Sequence, residues 1–169
     1  MAPQLRELTA DDLPALAKSD GGKAWSGADA RWPVYLAEHH QGLRVVLLAF
    51  DGPHPVAYGS LRWRSQHPAF AAGNIPEIHD LLVAEGHRRR GIASEMIAAF
   101  EDRARERGRK TIGLGVGLYA DYGSAQRLYA RLGYAPDGRG ITYRNLPIVS
   151  GATVRVDDDL VLWLTKALS

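Results

Sequence analysis

The stretch best suited to chemistry is Arg88-Arg89-Arg90-Gly91-Ile92-Ala93-Ser94. Gly91 lets the main chain approach a ligand where a side chain would block it, and Ala93 and Ser94 are small. The apolar run Leu81-Leu82-Val83 precedes it, and a helical pattern follows. The turn therefore opens a helix, whose first N–H groups lack partners and whose dipole is positive at that end. Such a turn is an anion site that fits a diphosphate. Three arginines add fixed charge and planar forks suited to phosphate. A solvated charge run before a helix looks much the same, so the flanking chain must decide. On the preceding strand, counting back in twos from Val83 puts Leu81, His79 and Glu77 on one face. A carboxylate in a partly buried cleft has its pKa raised towards the range of a general base. An imidazole titrates near neutrality already. Both also read as ordinary polar residues at a strand end. Asp80 faces the other way and reads as structural.

Composition removes several classes. A chain of 169 residues fits one domain, 1–169. Its 46% hydrophobic residues suffice for a packed core, and its net charge of +2 is too small to imply nucleic-acid binding. There is no cysteine, which excludes a disulfide scaffold, a thiolate zinc site and a cysteine nucleophile. No metal is expected. Met1–Arg6 has no apolar signal region, and no apolar run nears the roughly 20 residues that span a bilayer. A cytoplasmic location and no membrane partner are expected. Gly91 is followed by Ile92-Ala93, not the Lys-[ST] of a nucleoside-triphosphate loop, and the G-x-G-x-x-G of a dehydrogenase is absent.

The elements that must hold these residues can be read in order. Gln4 to Leu8 forms a strand. Thr9 with Asp12 forms a variant capping box ahead of a helix through Leu13, Leu16 and Ala17, ending near Ser19–Gly22. Trp25 falls in the loop that follows. A second helix starts near Ala28 or Asp29, carries Trp32, Tyr35, Leu36 and His39 on one side, and stops at Gly42. Leu43–Phe50 and Pro55–Ser65 flank the turn signal Asp51-Gly52-Pro53 as a hairpin. His67 to Asn74 reads as a loop, and Ile75–Val83 as the next strand. Ile92–Arg107 has a buried stripe of Ala93, Met96, Ile97, Phe100 and Ala104, with Glu101 and Arg105 paired on its wet side. Thr111–Leu118 alternates, with Gly113, Gly115 and Gly117 bare on one face. That face suits either a ligand channel or close packing. Ala125–Leu132 is a helix that Asp121 can cap, stopped by Gly133. Tyr134–Gly138 reads as a strand end and turn, Ile141–Tyr143 and Thr153–Val156 as a short hairpin, and Leu160–Leu164 as the last strand.

Arg88-Arg89-Arg90-Gly91-Ile92-Ala93 matches the [QR]-x-x-G-x-[GA] loop that binds the acetyl-CoA pyrophosphate in the GNAT N-acetyltransferases. Ala125-Gln126-Arg127-Leu128-Tyr129-Ala130-Arg131-Leu132-Gly133-Tyr134 resembles that family's A-x-x-L-Y-x-x-x-G-[FY] segment, and the order of elements agrees. The resemblance implies an α+β fold with a mixed, mostly antiparallel central sheet flanked by helices on both faces. It implies transfer of acetyl from acetyl-CoA to a primary amine in a ternary complex, or an inactive acyl-CoA-binding module of the same fold. By resemblance, the main chain around Arg89 to Ser94 holds the diphosphate, Leu81, Leu82 and Val83 flank the pantetheine arm, and the Leu81 N–H meets the thioester oxygen. Glu77 falls where the histone-acetylating branch carries its base; His79 and a water chain compete. Tyr129 falls at the tyrosine near the CoA sulfur, a proton donor to the leaving thiolate, although its place on an apolar stripe also fits a core residue. Tyr122 stands where many members carry an asparagine that bonds the pantetheine arm.

The acceptor is a small-molecule or peptide amine, its identity open, as is the oligomeric state, a homodimer included. In the family, acceptor choice falls to the segments matching Ser19–Trp32 and Arg139–Asp159. Asp157-Asp158-Asp159 either attracts a cation or forms a solvated turn.

Overall fold

The computed structural model describes residues 3–18 and 30–169. The expected first-helix stop, Trp25, and the second helix's start at Ala28 or Asp29 lie outside the described residues. The chain forms two compact units, each made of two segments. One comprises Met1–Arg62 and Ile78–Phe100, the other Trp63–Glu77 and Glu101–Ser169.

In the first unit, strands β1 (Gln4–Glu7), β2 (Arg44–Asp51), β3 (His54–Arg62) and β4 (Glu77–Val83) lie side by side in that order. β1 pairs antiparallel with β2, and β2 with β3. The capping box forms as its residues dictate: the Thr9 N–H donates to Asp12 at 2.8 Å, and Arg6 pairs with the same carboxylate. A single 3-10 turn at Ala10–Asp12 then leads into α1 (Leu13–Lys18). Helix α2 (Trp32–His40) carries Pro33 in its first turn, where a missing N–H costs nothing. Leu16, Trp32 and Tyr35 from these helices pack on Val46, Leu48, Phe50 and Tyr58 of the sheet. The opposite face receives α4 (Ile92–Glu106), whose Met96, Ile97 and Phe100 are buried as its 3.6-residue stripe demands. Gly59 makes that contact close: a Cβ there would stand 2.9 Å from Leu81 and 3.2 Å from Phe100.

The second unit orders its strands β5 (Thr111–Gly117), β8 (Leu160–Ala167), β6 (Ala135–Tyr143) and β7 (Leu146–Pro147), all pairings antiparallel. Its other helices are α3 (Pro68–Gly73) and α5 (Gly123–Arg131). The bare face of β5 is filled by rings and by Val161. A Cβ on Gly113 would stand 2.3 Å from Phe70, one on Gly115 2.7 Å from Val161 and 3.0 Å from Trp163, and one on Gly117 2.4 Å from Tyr122. The glycines serve close packing within this unit. The His67 ring lies parallel on Trp163, centroids 4.1 Å apart, and Phe70 meets both edge-on.

Several expectations are corrected. The segment expected as a loop contains α3, opened by Pro68 and closed by Asn74 in a left-handed cap. Strand β3 stops at Arg62 and β4 starts at Glu77, each shorter than expected. Pro136-Asp137-Gly138 is no turn: β6 runs through it, and Asp137–Gly140 bulge out between the pairs Pro136↔Leu164 and Ile141↔Leu162. The hairpin partner of β6 is β7, reached through Arg144 and Asn145, both with positive φ as a two-residue hairpin turn requires. Thr153–Val156 forms no strand. Glu101 is buried, not on the wet side. Its carboxylate accepts from Lys166 at 2.8 Å and Tyr134 at 3.0 Å, and Arg105 lies at 3.6 Å. Asp121 caps nothing, because the 3-10 turn Ala120–Tyr122 feeds α5 directly and Tyr122 ends it without a side-chain bond.

Candidate active site

In the first unit, β4 delivers the chain to the basic turn. The Ala84 N–H donates to the Val56 carbonyl at 2.8 Å, which pins the strand's exit. A 3-10 turn at Glu85–His87 follows, then Arg89 and Gly91 with φ of +60° and +85°. Arg88 is extended, and the left-handed residues after it turn the chain out of that run and into α4. The first helical bond of α4 runs from the Glu95 N–H to the Gly91 carbonyl at 3.0 Å. The N–H groups of Ile92, Ala93 and Ser94 thus precede the ladder. Nothing stands within 4 Å of where a Gly91 Cβ would be, so no side chain covers the turn at that point. The residues fit the group the sequence implied.

The three arginines differ. Arg88 Nε donates back to the Val83 carbonyl at 3.2 Å, closing its own turn. Arg90 leans to Asp51 at 3.9 Å, a carboxylate that also meets His87 at 3.2 Å. Arg89 is exposed in the left-handed conformation. Leu81 packs its side chain at Gly59, and Leu82 packs on the core beneath α1 and α2.

Asp80 faces α2, as alternation from Leu82 requires, but its φ is +55° in mid-strand. Its carboxylate accepts from the Tyr35 hydroxyl and from Arg31 at 3.2 Å. His79 lies beside it, Nδ1 3.6 Å from an Asp80 oxygen, beyond hydrogen-bond reach. Burial pushes the His79 imidazole down to about 4 against the pull of Asp80, with Arg62, Arg44 and Arg31 adding to the fall. It is therefore neutral at pH 7 and a weak base.

Glu77 belongs to the second unit's segment. It is 5% exposed, and Ser65 Oγ donates to its carboxylate at 2.6 Å. The His67 N–H donates to the same Ser65 oxygen at 2.9 Å. Tyr129 is buried on α5, edge-on to Tyr134, and burial pushes its phenol up to about 12, so it stays protonated. Tyr122 covers Gly117 and donates its hydroxyl to Asp158 at 2.8 Å; Tyr119 donates to the same oxygen. Burial and Asp158 raise the Tyr122 phenol. The remaining aspartates of the acidic run are engaged as well. Asp159 pairs with Arg144 at 3.2 Å, and Asp157 accepts from Tyr143 at 3.1 Å. Gln126, unassigned from the sequence, donates to the Gly117 carbonyl at 2.7 Å. Its place inside the second motif was the available signal. Among the described residues no cluster of three His, Cys, Asp or Glu stands ready to hold a metal ion.

The chain belongs to the acetyltransferase (GNAT) family, whose sequence model matches residues 3–134. No curated protein sequence matches it. The N-acetyltransferase PaiA from Thermoplasma acidophilum, in complex with coenzyme A, is 12% identical with a TM-score of 0.69, over 99% of each chain. The structure of YncA from Salmonella typhimurium with its cofactor acetyl-CoA is 14% identical with a TM-score of 0.67, over 100% of this chain and 95% of that one. A ribosomal-protein-alanine N-acetyltransferase from Brucella melitensis is 20% identical with a TM-score of 0.67, over 98% and 99%. At these identities the likeness is one of fold: mixed α+β, a mostly antiparallel sheet flanked by helices.

Proposed function

We propose that the protein transfers acetyl from acetyl-CoA to a primary amine by direct attack, as a single domain spanning 1–169. The observation that carries the reading is the open turn at the head of α4, with left-handed Arg89 and Gly91. Its main-chain N–H groups and arginines hold the diphosphate. Bound acetyl-CoA supplies the activated acyl group. The Leu81 N–H donates to the thioester oxygen as negative charge builds there, beside the main chain of Leu82 and Val83. Tyr129 keeps its proton to well above neutrality and gives it to the leaving sulfur. Tyr122 takes the place of the family's asparagine. Glu77 takes the amine's proton, with His79 as the competing base. No cysteine is present to carry a covalent acyl intermediate. The acceptor is a small-molecule or peptide amine, and the protein acts in the cytoplasm.

The test is a panel of amines with acetyl-CoA, reading free thiol against a protein that has none of its own. Tyr129→Phe should leave CoA binding unchanged by calorimetry and slow turnover. One observation favours a second reading, an acyl-CoA-binding module without chemistry: Glu77 is enclosed and already hydrogen-bonded. That reading gives heat with CoA and no thiol from any amine.

A further inference from the structure

Asp80 is the one described non-glycine residue that holds a left-handed φ inside a strand. Residues bearing a Cβ adopt that region at a cost, aspartate less than most. In an extended strand successive peptide planes alternate regularly. A left-handed residue turns the plane that follows it, here the one carrying the Leu81 N–H.

We propose that Asp80 is a positioning residue: held left-handed by Tyr35 and Arg31, it sets the direction in which the Leu81 N–H points. The inference rests on the reading above that this N–H meets the thioester oxygen. The anchorage is built from α2 with its N-cap Arg31, from β2 and from β3. Tyr35 and Arg31 both donate to the same Asp80 oxygen, and Arg31 also donates to the Tyr58 hydroxyl at 2.7 Å. Arg44 lies 4.0 Å over the Tyr35 ring and donates to Glu38 at 2.6 Å and Ser60 at 2.9 Å. Ser60 in turn donates to the His79 carbonyl at 3.1 Å. Residue 79 is thus fixed through its main chain and residue 80 through its side chain. Beyond them the Leu81 side chain is seated at Gly59, where a Cβ would leave it no room. The peptide between 80 and 81 is held from both ends.

The test compares Asp80→Asn, Asp80→Gly and Asp80→Ala by thiol-release kinetics, CoA calorimetry and the Leu81 amide resonance. Asparagine keeps an acceptor oxygen and tolerates positive φ; glycine tolerates it without being held there; alanine does neither. Removing one such donor outright costs about 10²–10³ in kcat, so a misaimed one in Asp80→Ala should cost at least about tenfold. The KM for acetyl-CoA and the CoA heat should stay unchanged. Asp80→Asn should restore most of kcat, Asp80→Gly less, and Tyr35→Phe, which removes one anchor, should fall between wild type and Asp80→Ala. The Leu81 resonance should move in Asp80→Ala and return in Asp80→Asn. Should Asp80→Ala melt below the assay temperature, Asp80→Gly and Tyr35→Phe carry the comparison. Wild-type kcat in Asp80→Ala, or Asp80→Asn as slow as Asp80→Ala, would overturn the inference, the second because charge and not backbone would then be at work. A wild-type protein that releases no thiol counts against the enzyme reading alone; an unmoved Leu81 resonance in Asp80→Ala counts against this one.

Discussion

His79 illustrates how much a neighbour's chemistry changes a residue's prospects. Its type suggested a base near neutrality; its surroundings hold the proton off until about pH 4. The sign for stability follows. The unfolded chain binds a proton near 6.5 and the native state only near 4, so stability is full above about 6.5 and falls as pH drops through that window. The loss is on the order of 3 kcal/mol at its largest. Urea titrations at pH 7 and pH 4.5 should show a smaller difference for His79→Gln than for wild type. Gly91 offers a second test. Alanine there meets no protein atom within 4 Å, but it carries a left-handed φ and a methyl group on the side the ligand approaches. A strain of about 1–2 kcal/mol should lower the melting temperature or shift the turn, and the methyl should weaken CoA binding by calorimetry. The form of the basic turn was legible because a glycine ahead of a helical stripe is a local signal. Asp158 was not, because its partners Tyr119 and Tyr122 lie far back along the chain.

Among the elements, β5 shows a pattern whose meaning sequence alone left open. Three glycines on one face fit either a channel or close packing, and the deciding residues, Phe70, Trp163 and Tyr122, come from three other segments. Gly113→Ala should therefore destabilise by about 1–3 kcal/mol through overpacking, and Phe70→Leu in the same chain should recover part of the loss in melting temperature. Equal melting of Gly113→Ala and wild type would show that the ring has room to move. Helix α4 and the Thr9–Asp12 cap were legible because their signals are local and periodic. Strand β6 was misread because Asp137-Gly138-Arg139-Gly140 carries turn residues, and a bulge uses those same residues to keep a strand going. The Arg144-Asn145 turn lacks the glycine that usually marks such hairpins.

At the scale of the molecule, both units are assembled from two segments, and the family match ends at residue 134. The chain beyond it is where the sequence reading erred most, since no motif constrains it. If the turn of the first unit holds CoA, ligand should stabilise the native state by mass action, about 2.7 kcal/mol at a hundredfold excess over Kd. Melting temperature should then rise with CoA concentration. Hydrogen exchange should slow first across residues 81–94, and protection elsewhere with none there would argue for a different site.

The parallel stack of His67 on Trp163 has an optical consequence. A charged imidazolium quenches an indole it touches, whereas the neutral ring does so far less. Burial lowers the His67 pKa, with Arg139 adding to the fall and Asp137, 3.9 Å away, opposing it. Emission from Trp163 should accordingly stay bright at neutral pH and dim on acidification below the usual histidine range, and Trp163→Phe should abolish that part of the signal. The protein thus carries its own fluorescent indicator of the proton on that ring, readable without any added dye.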